Sequence, residues 1–454
     1  MTLDPVHVDG IAKLAAGARD RRDERPGAAA EEVWDSFLDP LWQDGTKILE
    51  PLDEQRRRKV PIEDIALADP PFPTQHGLDS GTINPTTFKN GLVLDVAQAA
   101  MGSVPSDVEL HRGRTIIMAV HSNDATLGFD GEWQGGDRGY AKRRVLDVPQ
   151  VDRYEQRVVH ALALYLAESQ HALTNADVVE DLFILDGPIY PTGVLRWADR
   201  DTELADLLAE DDRPKTVVNN YVDLVERFVE RDVPMVGFIK NSSTKALTRA
   251  LRRKTNAPWV NDTAFFRRIL ERRDDDGERQ TDCLTATNWF RSRGGTDGIM
   301  AADGDALGIE RSLDPEAYEV TFFVLYDPRS DLVFRVEAPY AFTKDPECRT
   351  KLTRQILHDV AREQGPPLAI GKLTNSPKST ARAARNSPAA SSGPSRPTAS
   401  GSSTISGGEP SKNRSEACYP RRARTMAYRR TRSPTSSVIV PEGETPLAGR
   451  PARH

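Results

Sequence analysis

The sequence predicts a mixed α/β fold, and three observations lead there. Short apolar runs such as Asp181–Leu185 (DLFIL) and Pro234–Ile239 (PMVGFI) have the length of buried strands rather than of helices. Between them lie longer amphipathic stretches. The strongest, Val151–Gln170, puts Val158, Ala161, Leu162, Tyr165 and Leu166 on one helical face. Strands alternating with helices place those helices against a mixed sheet. At 454 residues the chain exceeds the ~250–300 residues that one core usually supports, so one large domain with additions, or two domains, is expected.

Taken in order, residues 3–70 read as helical, with Val33, Phe37, Leu38 and Leu41 at helix spacing and a bend at Asp39-Pro40. Pro70, Pro71 and Pro73 then stiffen the entry into the α/β region. His76–Asp79 reads as a short strand, Gly91–Ala97 as its hairpin partner, and Arg114–Val120 as a third strand. The Val151–Gln170 helix, the Asp181–Leu185 strand, a helix over Thr216–Arg231, the Pro234–Ile239 strand and a helix over Ser243–Arg253 follow. Asp262–Arg291 reads as helical but broken. Tyr318–Tyr326 and Asp331–Glu337 form a hairpin across Asp327-Pro328, and Cys348–Glu363 is the last helix. The expected organisation is a helical extension over 1–72, an α/β domain over 73–370 and a disordered basic tail over 371–454. No internal repeat interrupts it.

Charge is unevenly placed. The net value of −7 hides about −18 up to Ile370 and about +11 from Gly371 onward. The body is rich in Asp and poor in Lys, as expected of a protein that stays hydrated in high salt, where phosphate contacts are weakened. No apolar run is long enough to span a bilayer. Met1–Arg22 lacks the apolar core of a signal peptide, so a cytoplasmic location is expected. Cys283, Cys348 and Cys418 form no CxxC pair and no zinc spacing, and read as inert thiols.

The tail is rich in Ser, Pro, Ala and Arg and contains no Asp. Written with G/C-ending codons, Leu373–Arg382 read two bases later gives Asp-Glu-Leu-Ala-Gln-Val-Asp-Arg-Glu, an acidic helix like the body. A frameshift replacing the C-terminus near Gly371 is the expectation that follows. The gene sequence decides it.

Two acids stand where apolar strands end: Asp79 in HGLDSGTINP and Asp186 in LFILDGPIYP. Each alone reads as a turn carboxylate. Together they point to a site, because sites in α/β sheets gather at the carboxyl ends of strands. Carboxylates brought close repel, and a divalent cation resolves the repulsion. Oxygen-only ligands suit Mg²⁺ or Mn²⁺. A third acid comes from the intervening helix. If that helix runs antiparallel to the strand it precedes, its N-terminal end lies level with Asp186, which favours Glu155 over Glu168. Lys240 ends PMVGFIK and could hold a phosphate; a solvated charge is the alternative. The arginine-rich stretch Ser243–Lys254 reads first as a solvated basic face.

The ordered set GLDSGTINP, LFILDGPIYP, PMVGFIKNSS and LVFRVEAP resembles the NurA nuclease family over about residues 75–370. The resemblance implies an RNase H-like core, Mn²⁺ (or Mg²⁺), DNA as substrate, a homodimer, and docking on a HerA-type hexameric translocase in end resection and repair of DNA breaks. It matches Asp79 and Asp186 to metal ligands, Lys240 to the lysine after the apolar strand, and Arg335 and Glu337 to an Arg-x-Glu pair. Glu155 is the chosen helix acid. The family's Asp-Gly-Ser is here Asp79-Ser80-Gly81, and its C-terminal Tyr and His face Pro366 and Lys372 in GPPLAIGK. Two rival readings stand beside the nuclease: a non-catalytic adaptor that clamps DNA for a motor, and an α/β phosphoesterase. No GxxxxGK[ST] loop supports nucleotide phosphate transfer.

Overall fold

The computed structural model describes residues 25–87, 92–121, 131–136, 140–147, 156–191, 213–240, 242, 244–255, 258–300 and 308–374. At its centre five strands set the architecture. β4 (Gln75–Thr87) and β5 (Val93–Val104) form a long hairpin, with Asp79 opposite Ala100 and Ile83 opposite Val96. β6 (Arg114–His121) pairs antiparallel with β5. On the other side of β4, β9 (Phe183–Leu185) pairs parallel to it, and β10 (Met235–Ile239) pairs parallel to β9. The spatial order β6-β5-β4-β9-β10, three antiparallel strands followed by two parallel ones, is the RNase H-like arrangement.

The parallel strands need crossovers, and helices supply them. α4 (Gln156–Asn175) precedes β9, and α5 (Arg213–Glu230) links β9 to β10. Both lie on one face. Alternation along β9 shows how the layers divide: Phe183 and Leu185 join Leu162, Leu166, Val225 and Phe228 beneath α4 and α5, while Leu182 and Ile184 face the opposite side. There they meet α9 (Pro346–Glu363) through Leu352, Ile356 and Val360. Strands buried on both faces have to be apolar throughout, which is why these runs are readable in the sequence.

Among the described residues the sheet continues well past the core, to fourteen strands. β7 (Gln134–Gly135) and β8 (Ala141–Asp147) extend the β6 edge. Beyond β10 come β14 (Leu332–Pro339) and β13 (Val320–Asp327), the expected hairpin, then β12 (Phe290–Ser292) and β11 (Cys283–Thr287). The N-terminal region joins this end. β1 (Leu41–Gln43) pairs with β2 (Thr46–Pro51), which pairs with β12, and β3 (Arg57–Pro61) pairs with β11.

Two expectations are corrected here. Helix over 3–70 is found only at α1 (Arg25–Phe37) and α2 (Ile62–Leu67); three strands lie between. Those strands are three to six residues long and carry charges on a half-exposed face, as in Arg57-Arg58-Lys59, so they lack a clean period of two. Val33, Leu38 and Leu41 are buried and Phe37 half-buried, on one face as expected, but in a separate core with Leu49, Phe265, Phe290 and Phe322. The broken helix over Asp262–Arg291 is helical only at α7 (Asp262–Leu270), capped by Asn261, whose side chain accepts from the Ala264 N–H at 2.9 Å. Its remainder forms β11 and β12, every residue of which is buried, so no alternation marks them.

The helix expected over 243–253 is α6 (Ala246–Arg252). After β14 come a short α8 (Tyr340–Thr343), α9, and α10 (Leu368–Thr374), which was not anticipated. All described residues belong to a unit spanning Met1–Ser387; of the tail expected to be disordered from Gly371, residues 371–374 lie in α10, and the rest, including the second unit Pro388–His454, lies outside the described residues.

Candidate active site

Asp79 and Asp186 are brought together by backbone pairing. The parallel β4–β9 ladder aligns Leu78 with Leu185, and the Asp186 N–H donates to the Leu78 carbonyl at 3.0 Å. Each acid therefore follows a paired residue on adjacent strands. The Ser80 N–H donates to Asp79 Oδ1 at 2.8 Å and fixes the carboxylate near the backbone. β10 ends alongside, with Gly237 opposite Leu185, and Lys240 Nζ donates to Asp186 Oδ2 at 2.7 Å.

The chain after Asp186 folds tightly over β10, and this requires a glycine. A Cβ on Gly237 would sit 2.5 Å from the Gly187 carbonyl oxygen and 2.8 Å from the Ile189 nitrogen. From below, the same turn is held by Glu337, whose Oε2 accepts the Ile189 N–H at 3.3 Å. Glu337 in turn takes Arg335 Nε at 2.7 Å, and Arg335 Nη2 reaches Asp297 at 2.8 Å. Both are buried. Burial opposes the Arg335 charge, but Asp297 and Glu337 outweigh it and raise its pKa. The Arg-x-Glu pair is thus a brace for the Asp186 turn.

The helix acid that reaches this point is Glu168. Its carboxylate accepts from Ser80 Oγ and, at 2.8 Å, from the Tyr221 hydroxyl of α5. Burial pushes its pKa up to about 7; the Ser80 and Tyr221 bonds oppose that, and the neighbouring charges of Asp79 and Asp186 add to it. Glu155 lies outside the described residues. Why α4 presents Glu168 rather than a residue of its first turn follows from the β4–β5 hairpin, which runs on past Asp79 to Thr87. The N-terminal half of α4 lies along this overhang: His160 Nδ1 pairs with Asp95 at 2.7 Å, and Asp95 stands next to Val96, the partner of Ile83. Eight helical residues onward, roughly 12 Å at 1.5 Å each, matches four strand residues back, roughly 13 Å. That step leads from the Ile83–Val96 level to the Asp79–Ala100 level, where Ser80, next to Asp79, bonds Glu168.

Among the described residues, no three His, Cys, Asp or Glu side chains stand as a finished cage for a cation. The donor set nonetheless fits a hard divalent ion. It consists only of carboxylate oxygens: Asp186 just past the end of β9, Asp79 beside it but inside β4, which runs on to Thr87 instead of ending at Asp79 as the sequence suggests, and Glu168, whose ionisation both suppress; a cation would relieve that repulsion. Lys240 supplies a positive charge to Asp186 instead. Ser80 and Tyr221 carry no signal in the sequence: Ser80 is one small residue in Asp79-Ser80-Gly81, and Tyr221 is a buried helix position that nothing separates from core. Near Asp79 the C-terminal α10 closes on β4, with Ala369 backbone 2.5 Å from where a Cβ on Gly77 would sit. Pro366 immediately precedes that contact; the Lys372 side chain lies outside the described residues.

The fold and this cluster define an RNase H-like α/β protein with an acidic strand-end site. The NurA domain family model matches residues 73–373, and the chain belongs to the NurA family. Among solved structures it is similar to the NurA nuclease from Sulfolobus solfataricus, at 11% identity and a TM-score of 0.37, covering 70% of this chain and 80% of that one. A crystal structure of NurA with manganese matches at 10% identity and a TM-score of 0.36, over 71% and 91%. One of NurA bound to dAMP and manganese matches at 9% and 0.36, over 79% and 90%. No curated protein matches the chain.

Proposed function

We propose that this protein is a metal-dependent deoxyribonuclease whose site is Asp79, Glu168, Asp186 and Lys240. The observation that carries the reading is the convergence of Asp79, Asp186 and Glu168 where the β4–β9 ladder stops, beside Lys240, in a chain of the NurA family. Asp79, Asp186 and Glu168 would hold one or two Mn²⁺ or Mg²⁺ ions. Bound there, such an ion supplies Lewis-acid charge and a water of lowered pKa. Ser80 and Tyr221 keep the Glu168 carboxylate turned toward the strand ends. Lys240 is placed to leave Asp186 for a phosphate oxygen and to orient the scissile group. Nothing at the site reads base edges, so cleavage is expected to be indifferent to sequence. By family membership the enzyme would act as a homodimer in the cytoplasm with a HerA-type translocase in resection of broken DNA ends. End-labelled linear DNA incubated at high KCl with Mn²⁺, Mg²⁺ or EDTA tests the activity: metal-dependent shortening should be lost in Asp79→Ala.

A non-catalytic DNA clamp is the second reading. It is favoured by Pro366 and Lys372, which stand where the family has a Tyr and a His. DNA binding without any metal-dependent cleavage would select it.

A further inference from the structure

A cavity of about 120 Å³ lies between β3, the β11–β12 connection and the first turns of α9. None of its walls belongs to the strand-end site. It is far larger than the ~10–15 Å³ that one water needs. Arg56, Arg58, Arg349, Asn288, Thr350 and Asp53 line it. The sheet explains why guanidiniums converge there. Arg58 sits opposite Ala286, whose side chain belongs to the core under α9, so Arg58 faces α9 from the neighbouring strand. Arg349 meets it from the helix. Its Nη1 donates to the Thr343 and Lys344 carbonyls, which leaves Nη2 on the Asp53 side.

Three guanidiniums share one carboxylate. Arg349 Nη2 and Arg56 Nη2 lie 3.7 and 3.9 Å from the same Asp53 oxygen, beyond hydrogen-bond reach. Arg58 is half-buried and has no hydrogen bond or ion pair among the described residues. Burial and the adjacent Arg56 lower its pKa, with Asp53 compensating in part. Among the residues that line the cavity, three guanidiniums face one carboxylate, an excess of two positive charges that a dianion completes.

We propose that this cavity binds a phosphate dianion, free or as a monoester, between Arg56, Arg58 and Arg349. The planar fork of each guanidinium matches paired phosphate oxygens. The excess of two positive charges matches a terminal phosphate, which carries about −1.5 to −2, better than a backbone diester. The assignment is independent of the nuclease reading.

The test uses the full chain in EDTA at fixed KCl, so that the strand-end acids hold no metal. Inorganic phosphate should raise Tm saturably, because it binds only the folded state. Arg58→Gln should weaken that binding at least tenfold while leaving Tm in phosphate-free buffer near the wild-type value. Asp53→Asn should tighten it, since the competing carboxylate is gone. If phosphate stabilises the chain but neither dAMP nor a 5′-phosphorylated oligonucleotide competes with it, the ligand is the free anion. If the phosphorylated oligonucleotide binds at least tenfold more tightly, and Arg58→Gln erases the difference, the ligand is a DNA end. Wild-type phosphate affinity in Arg58→Gln, no gain in Asp53→Asn, or no phosphate-dependent stabilisation would each overturn the assignment.

Discussion

Glu168 and His171 lie one turn apart on α4, and burial acts on them in opposite directions. Glu168 is held partly protonated near neutrality by its surroundings, and the Tyr221 hydroxyl is one of two donors opposing this. A hydrogen bond to a charged group contributes about 1.5–3 kcal/mol. Tyr221→Phe is therefore expected to lower cleavage about tenfold or more, with activity partly recovered at raised Mn²⁺; unchanged activity would remove Tyr221 from the site. His171 is buried against Thr115 Oγ1 at 3.0 Å, and burial lowers its pKa to about 4, with Arg114 adding to the effect. The unfolded chain takes up this proton first, so the contribution of His171 is complete above about pH 6.5 and is lost as pH falls toward 4. At ~1.4 kcal/mol per unit this amounts to a few kcal/mol at most. Urea midpoints should drop across that window, and His171→Gln should flatten the drop. His160 behaves oppositely: its hydrogen bond to Asp95 raises its pKa against burial, so its contribution is present below about pH 6.5 and fades as pH rises through the folded value.

At the scale of elements, the readable parts of the sequence were those buried on both faces of the core or amphipathic over many turns. Phe183–Leu185, Met235–Ile239, α4 and α5 announce themselves because burial demands apolar side chains at fixed periods. β1 to β3 did not, because short outer strands alternate weakly. The level of the helix acid was not legible for a different reason. Its level depends on how far β4 and β5 overhang β9, a length set by pairing and not by any local pattern. The turn after Asp186 gives a test at this scale. Gly237→Ala would force a methyl against Gly187 and Ile189. Overpacking of this kind costs about 1–3 kcal/mol. A lowered Tm with cleavage falling further than Tm alone explains is expected; an unaltered protein would mean the turn can move away freely.

The described residues build one sheet that carries the acidic cluster, and the chain up to Ile370 is acidic and poor in lysine, so with its charged residues mostly exposed its surface is acidic on balance. Such a surface repels itself when salt is low, and screening relieves the repulsion. Folding midpoints should therefore rise from low to molar KCl, and a flat response would remove the high-salt reading. The proposed nuclease site depends on α4 meeting β4 at Asp79 and the end of β9 at Asp186, so the most direct test compares Glu168 with Glu155. In Mn²⁺ and high KCl, Glu168→Gln should cut linear DNA at least a hundredfold more slowly than the wild type, while Glu155→Gln retains activity. Full activity in Glu168→Gln, with loss in Glu155→Gln, would contradict the site described for this protein.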